Sequence, residues 1–146
     1  MELYIKIKDA DSLPTIEDLK RVMFFENASV SRFGNDHLLR KGAEIALSWD
    51  KWIDDPRWSH HSKSKEYIYI QFIQPNIVKV EVDDSATFVD RRAAILAGKF
   101  IVDIDDGDSS YDNEKWLQKK DFIRSINKYL HFSFQSAVEQ SLIAVL

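Results

Sequence analysis

The chain has 146 residues, of which 45% are hydrophobic and 30% charged, and its formal net charge is −4. That length is typical of one domain with its own core, so we predict a single globular domain over residues 1–146. The chain has no cysteine, which excludes disulfides, thiolate metal sites and cysteine nucleophiles. The acidic balance argues against a nucleic-acid partner. No stretch is apolar for the roughly 18 residues that a membrane-spanning helix needs, and the first residues lack a signal-peptide pattern. We therefore expect a cytoplasmic protein that does not bind membranes.

The first predicted element is a strand over Glu2 to Lys8, in which Leu3, Ile5 and Ile7 alternate with polar residues. A period of two gives such a strand one apolar face and one solvated face. The segment from Asp9 to Pro14 then reads as a turn.

A helix is predicted next, because Thr15 and Asp18 have the spacing of a capping box in which Asp18 replaces the usual Glu or Gln. The helix is expected to run to about Ala28, with Glu17 and Arg21 paired one turn apart. Its apolar face, at steps of three and four residues, consists of Ile16, Leu19 and Met23.

The region from 27 to 65 gives the most ambiguous pattern. Residues 27–36 read as a loop and residues 59–65 as a second, polar loop. Between them, residues 38–49 fit two templates: Leu38, Gly42, Ile45 and Trp49 share a helix face, whereas Ala43, Ile45, Leu47 and Trp49 share a strand face. We predict a helix for 38–49, although Gly42 weakens it.

The most regular pattern runs from Glu66 to Val82 and predicts a β-hairpin that turns at Gln74-Pro75-Asn76. Its apolar face consists of Ile68, Ile70, Phe72, Val78, Val80 and Val82. A two-stranded ribbon is not stable alone in water, so the other apolar segments are expected to cover this face. The strand at Glu2 to Lys8 is expected to pair beside it.

After the hairpin, Ser85 can cap a helix over residues 86–97 that Gly98 would end. Phe100 to Ile104 then reads as a short strand, which would make 77–104 a parallel strand-helix-strand unit. The alternative is a set of meandering antiparallel strands, and both interpretations remain open.

The last third begins with an acidic loop over residues 105–112, whose Asp112 can cap a long helix from Asn113 to about Leu130. Ser133 can cap a final helix that ends at Leu146 and is expected to dock on the domain, because its apolar face would otherwise be exposed.

These elements predict an α+β domain with a small mixed or antiparallel sheet of three to five strands and helices packed mainly on one face. The alternative is an α/β sandwich that contains the parallel strand-helix-strand unit.

Aspartates gather at two predicted strand ends, with Asp83 and Asp84 at the first and a second group from Asp103 to Asp108. If the strands were parallel, both groups would lie at one edge of the sheet, where ligand sites of open sheets form. Asp83, Asp103 and Asp105 could then hold Mg²⁺ or Mn²⁺. The simpler interpretation, which we favour, is that these aspartates solvate turns and cap helices.

Two further groups could contribute to binding or catalysis. Trp52 and Trp58 are close in sequence to charged residues, and exposed aromatic rings are common interface anchors, although most tryptophans are buried. His60 and His61 could carry protons, but no third ligand or catalytic partner is near them in sequence.

The function expected from these features is non-enzymatic binding of a protein partner with a basic surface, such as an inhibitor or immunity-type protein that covers a toxin nuclease. No cofactor is expected. The predicted partner-binding residues are Asp105, Asp106, Asp108, Asp112, Trp52, Trp58, Tyr67 and Tyr69. One alternative is a small Mg/Mn-dependent hydrolase or phosphodiesterase that uses the three-aspartate site with His60 or His61. Another is a subunit or adaptor with an apolar patch around Phe132, Phe134 or the last helix.

Overall fold

The computed structural model describes residues 1–25, 28, 30–33, 44–49, 56–58, 66–73 and 75–145. Its strands are β1 (Glu2–Lys6), β2 (Val30–Phe33), β3 (Glu44–Trp49), β4 (Ile68–Ile73), β5 (Ile77–Glu81) and β6 (Ser109–Ser110). Its helices are α1 (Ile16–Met23), α2 (Phe88–Asp105), α3 (Lys119–Ser125), α4 (Asn127–Leu130) and α5 (Phe134–Val145). In the described ranges, short 3-10 turns also lie at Ala10–Ser12 and Pro56–Trp58.

The strands form one antiparallel sheet in the order β2-β3-β4-β5-β1-β6. Five strands have four to six residues, and β6 adds a two-residue pairing at the β1 edge. Helix α2 packs on β1, β4 and β5, while α1 and α5 pack on α2. The chain is therefore an α+β protein with its helices mainly on one face of the sheet, which confirms the predicted fold class.

The central hairpin and the first strand are confirmed. In the register of the sheet, Leu3 lies opposite Val80 and Ile5 opposite Val78, while Ile70 and Phe72 flank the same two valines from β4. All six side chains are at most 2% exposed. They form the sheet side of the core, and the period-two pattern of the sequence is what places them there.

The opposite face of these strands is polar and partly exposed. At its centre, Lys79 forms ion pairs with Glu2 at 2.9 Å and Glu81 at 2.8 Å. These contacts, led by the hydrogen bond to Glu81, raise the pKa of the lysine. Tyr69 is exposed on the same face. An antiparallel sheet with one face on the core and one toward water accounts for this alternation.

The predictions for the region before the hairpin need correction. Helix α1 begins with the predicted Thr15 capping box but ends at Met23, and Arg21 pairs with Asp18 at 2.7 Å instead of with Glu17. The predicted loop contains strand β2. The helix predicted for 38–49 is wrong where the structure describes it, because β3 occupies Glu44–Trp49; residues 38–43 lie outside the described residues.

The prediction of a helix, a stop and a strand between 86 and 104 is also wrong, because α2 is one helix of 18 residues capped from Thr87. Gly98 lies inside it, where an ideal Cβ would be 2.2 Å from Cδ2 of Leu3. The glycine therefore permits close packing of α2 on β1 and does not end the helix. Since 100–104 is helical, both the parallel and the meandering interpretations of this region are wrong.

The long helix predicted from Asn113 begins instead at Lys119, after Gln118, and divides at Ile126 into α3 and α4. The last helix follows Ser133, whose Oγ accepts a hydrogen bond from the backbone N–H of Ser136 at 3.1 Å, as a capping serine does. Helix α5 docks on α2 through Ser141, whose Oγ accepts a hydrogen bond from the N–H of Val89 at 2.9 Å.

None of the helices in the described ranges has the length and apolar composition needed to cross a membrane.

Candidate functional site

Negative charge is concentrated in one short segment that runs from the end of α2 to the turn before α3. Residues 103–115 contain six acidic residues and one lysine, a formal charge of −5. The whole chain carries −4, so the remaining residues together carry +1. Four of its exposed carboxylates, those of Asp106, Asp108, Asp112 and Glu114, follow the end of α2. We call these four residues the acidic edge, because they lie beside β6 at the margin of the sheet.

The backbone of the acidic edge is held in a defined conformation. Asp106 has a left-handed φ of 54°, and Gly107 passes so close to β1 that a Cβ would lie 2.0 Å from the carbonyl oxygen of Lys6. The N–H of Lys6 donates to the carbonyl of Asp108 at 2.9 Å. Ser109 and Leu117 exchange two backbone hydrogen bonds, of 3.0 and 2.7 Å, which close the segment into a loop. The carboxylates are therefore presented by an ordered turn.

Asp112 is fixed within that loop by three contacts. Its Oδ1 accepts hydrogen bonds from the N–H of Glu114 at 2.9 Å, the N–H of Lys115 at 2.8 Å and the hydroxyl of Ser110 at 2.9 Å. The N–H of Lys115 is the main cause that lowers the pKa of this carboxyl group, so it stays ionised. Asp112 was predicted to cap a long helix, and it caps this turn instead.

Ion pairs neutralise some of the carboxylates at and near the acidic edge and leave others unpaired within the described residues. Lys119 lies 3.3 Å from Asp103, which also pairs with Lys99 at 2.6 Å, and 4.0 Å from Asp106. In the part of the chain that the structure describes, Asp108 and Glu114 form no ion pair. Asp103 is thus largely neutralised within the molecule, whereas the acidic edge retains charge that a partner could meet.

Asp105 was predicted to bind a partner, but the structure places it inside the molecule. Its side chain is 7% exposed and accepts hydrogen bonds from the N–H of Lys8, the N–H of Asp9 at 3.0 Å and the hydroxyl of Ser12 at 3.3 Å. The carboxylate therefore ties the loop after β1 to the end of α2. It stabilises the fold and is not part of the exposed surface.

The two tyrosines predicted to bind a partner do not lie beside the acidic edge. Trp58 is buried, and Trp52 lies outside the described residues, as do His60 and His61. Tyr67 and Tyr69 have ring centres 6.3 Å apart at the start of β4. Strand β4 is three strands from β6, or about 14 Å across the sheet, so this pair belongs to a separate surface.

The carboxylates of the alternative metal site are not brought together. Asp83 precedes α2, whereas Asp103 and Asp105 lie in its last turn, and a helix of 18 residues is about 27 Å long. Asp83 instead accepts hydrogen bonds from the N–H and hydroxyl of Ser85, which lower its pKa. Among the described residues, no group of three His, Cys, Asp or Glu side chains could hold a metal ion.

The apolar residues considered for an adaptor surface are largely used inside the molecule. Phe134 contacts Phe24, Phe25 and Trp49, with ring centres 4.8 to 6.4 Å apart. Ile143 on α5 is 65% exposed.

Sequence reasoning missed three residues that stand out in the structure. Tyr111 is 40% exposed among the residues of the acidic edge, with its hydroxyl 2.8 Å from Oγ of Ser125. Its position in the sequence, between Asp108 and Asp112, could have indicated that it belongs to the same surface. Asp90 and Arg92 are ionisable groups buried in the first turns of α2, and no sequence pattern distinguishes them from exposed helix residues.

Comparison with known proteins gives no match: no protein-family model, no curated protein and no solved structure is similar to this chain.

Proposed function

We propose that this protein is a non-enzymatic, cytoplasmic binding module that docks its acidic edge on a basic surface of a protein partner. An inhibitor or immunity-type protein fits this role when the partner is a toxin nuclease, because surfaces that bind nucleic acid are basic. Charge complementarity of this kind accelerates association and excludes partners of like charge.

The observation that carries the proposal is the concentration of the net negative charge on one ordered turn. Within the segment 103–115, Asp105 is buried and Asp103 is ion-paired, but the four carboxylates of the acidic edge are exposed together at one margin of the sheet. Because the hydrogen bonds of Asp112 and the Ser109–Leu117 pairing already fix the turn, little backbone entropy is lost when it binds. Tyr111 adds an exposed ring at the same place, and tyrosine is enriched among residues that anchor interfaces.

The test is a panel of purified basic toxin nucleases, each assayed for inhibition by a stoichiometric amount of this protein and for binding by surface plasmon resonance. A variant that combines Asp106→Asn, Asp108→Asn and Glu114→Gln removes three exposed charges without touching Asp105 or Asp112, which hold the fold. For a nuclease that the wild type inhibits, we expect this variant to lose affinity by about tenfold or more at low salt.

A second triple variant, Glu17→Gln, Glu44→Gln and Glu139→Gln, is the matched control. It changes the net charge equally, but its three residues are exposed on α1, β3 and α5 and none of them belongs to the acidic edge. The control should bind within about twofold of the wild type, since remote charges are screened. Equal losses of affinity in both variants would show that the net charge, and not the acidic edge, determines binding. Failure to bind any nuclease of the panel would contradict the nuclease-inhibitor role.

A further inference from the structure

Arg92 is a buried cation that forms no ion pair with any described residue. Its side chain is 9% exposed, and its Nε donates a hydrogen bond of 2.9 Å to the backbone carbonyl of Phe132. Its Nη1 is buried and has no hydrogen-bond partner in the part of the chain that the structure describes. A guanidinium group has five N–H donors, and leaving a buried one unsatisfied costs free energy.

Among the residues that the structure describes, no carboxylate forms an ion pair with this charge. Burial alone accounts for the lowered pKa of Arg92, with no acidic group acting to raise it. Asp90 is only two positions away, but residues two apart on a helix point about 200° apart, and the groups that act on Asp90 are Thr87 and Glu66. A buried charge without a counter-charge is rare in a folded protein because its burial is costly, and an external anion would reduce that cost.

The surroundings of Arg92 define the chemistry of that anion. Phe88 lies one helical turn before Arg92 on the same face, and its ring contacts those of Phe132 and Tyr129 at 4.7 and 5.2 Å. The guanidinium is thus one positive charge beside partly buried aromatic rings. A planar carboxylate matches the fork of the guanidinium and its single charge, whereas a doubly charged phosphate would bring an excess negative charge into the same apolar setting.

We propose that Arg92, flanked by Phe88 and Phe132, forms a binding site for a carboxylate attached to an apolar or aromatic group. This site is independent of the acidic edge: it lies at the start of α2, whereas the acidic edge follows the end of that helix.

The experiment measures thermal unfolding of the protein in sodium benzoate, sodium acetate or sodium phosphate, each against sodium chloride at equal ionic strength. At about ten times its dissociation constant, a ligand that binds only the folded state should raise Tm by roughly 4 °C in a domain of this size. We expect a saturable rise with benzoate, a weaker one with acetate and the weakest with phosphate.

Arg92→Met should abolish the benzoate-dependent rise, and Arg124→Met should retain it, since Arg124 is exposed on α3. A second measurement needs no variant: on titration of the wild type with benzoate, the Nε–H signal of Arg92 should show the largest shift among the arginine side chains in a ¹⁵N NMR spectrum. The proposal is overturned if benzoate has no effect on Tm, if Arg92→Met keeps the effect, if the Arg92 signal does not move, or if phosphate is preferred.

Discussion

Asp90 is a single buried carboxyl group that should make the stability of the protein depend on pH. Its side chain is 1% exposed, Thr87 donates a hydrogen bond of 2.8 Å to Oδ2, and Oδ1 has no partner among the described residues. Burial raises the pKa of this carboxyl group from 3.8 to about 8, which the Thr87 hydrogen bond opposes only in part. Asp90 is therefore mostly protonated in the folded protein at neutral pH.

We predict that the buried carboxyl group of Asp90 makes the protein less stable as the pH rises from about 4 to about 8. Between about pH 4 and pH 8 the unfolded chain has released this proton while the folded protein retains it, so the free energy of unfolding falls as the pH rises. Above about pH 8 both states are ionised and the loss is complete. Asp90→Asn removes the effect, so its free energy of unfolding, relative to the wild type, should increase from pH 5 to pH 9 in urea titrations. Parallel pH profiles for the two proteins would contradict this assignment.

At the same scale, we predict unequal roles for two aspartates that are close in sequence. Asp105→Ala removes the acceptor of two backbone N–H groups and the Ser12 hydroxyl, and should lower the free energy of unfolding by about 2–3 kcal/mol. Asp108→Ala alters an exposed side chain and should change it by less than about 0.5 kcal/mol. Urea unfolding of both variants checks this, and equal losses would show that Asp105 does not hold the loop after β1.

The sequence showed the acidic run but could not separate these residues. The sequence does not distinguish the four aspartates Asp103, Asp105, Asp106 and Asp108. Which of them is buried depends on how the last turn of α2 is oriented. That turn was predicted as the end of a strand over Phe100 to Ile104, with Asp105 in the acidic loop that follows, so the prediction gave no reason to bury Asp105. In the helix, Asp105 faces the loop after β1, while Asp103 and Asp106 face outward.

At the scale of elements, the clearest patterns were predicted correctly and the ambiguous ones were decided by packing. The hairpin and β1 alternate because one of their faces is solvated. Strand β3 does not alternate, since Ala46 and Ser48 are buried as well as Ile45 and Leu47, and a segment buried on both faces has no period that distinguishes strand from helix. Its pairings with β2 and β4, which are distant in sequence, decide that it is a strand.

The prediction ended the helix at Gly98, and this was wrong because the role of the glycine also depends on a contact distant in sequence. A glycine after a helical stretch is the usual end of a helix, but here it reflects the contact with Leu3. Its meaning depends on a strand nearly a hundred residues earlier in the chain. Local sequence rules have no access to that contact.

We predict a change of sign in the effect of Gly98→Ala. In the wild-type background the added methyl group meets Leu3 Cδ2, and the overpacking should outweigh the gain of about 1 kcal/mol in helix propensity, so the protein becomes less stable. In a Leu3→Ala background the space is open, and the same change should stabilise by up to about 1 kcal/mol. Denaturant unfolding of the four proteins gives the double-mutant cycle, and additive effects would exclude the contact as the reason for the glycine.

At the scale of the whole molecule, the fold separates the surfaces available to partners. The helices cover one face of the sheet, and Lys79 with its two glutamates occupies the middle of the other. The acidic edge projects from the margin beyond β1, so its field is not cancelled by the ion pairs of the open face. The proposed docking function rests on that arrangement and on the charge distribution along the chain, because the segment 103–115 has a formal charge of −5 and the residues outside it together have +1.

The most direct test of this account is the rate of association with a nuclease that the protein inhibits, measured by stopped flow from about 10 mM to 1 M salt for the wild type and both triple variants. Over that range the screening length falls from about 30 to about 3 Å. We predict a steep fall in the association rate for the wild type and the Glu17/Glu44/Glu139 control, and a nearly flat dependence for the Asp106/Asp108/Glu114 variant. The same steep dependence in all three proteins would show that the acidic edge does not guide docking.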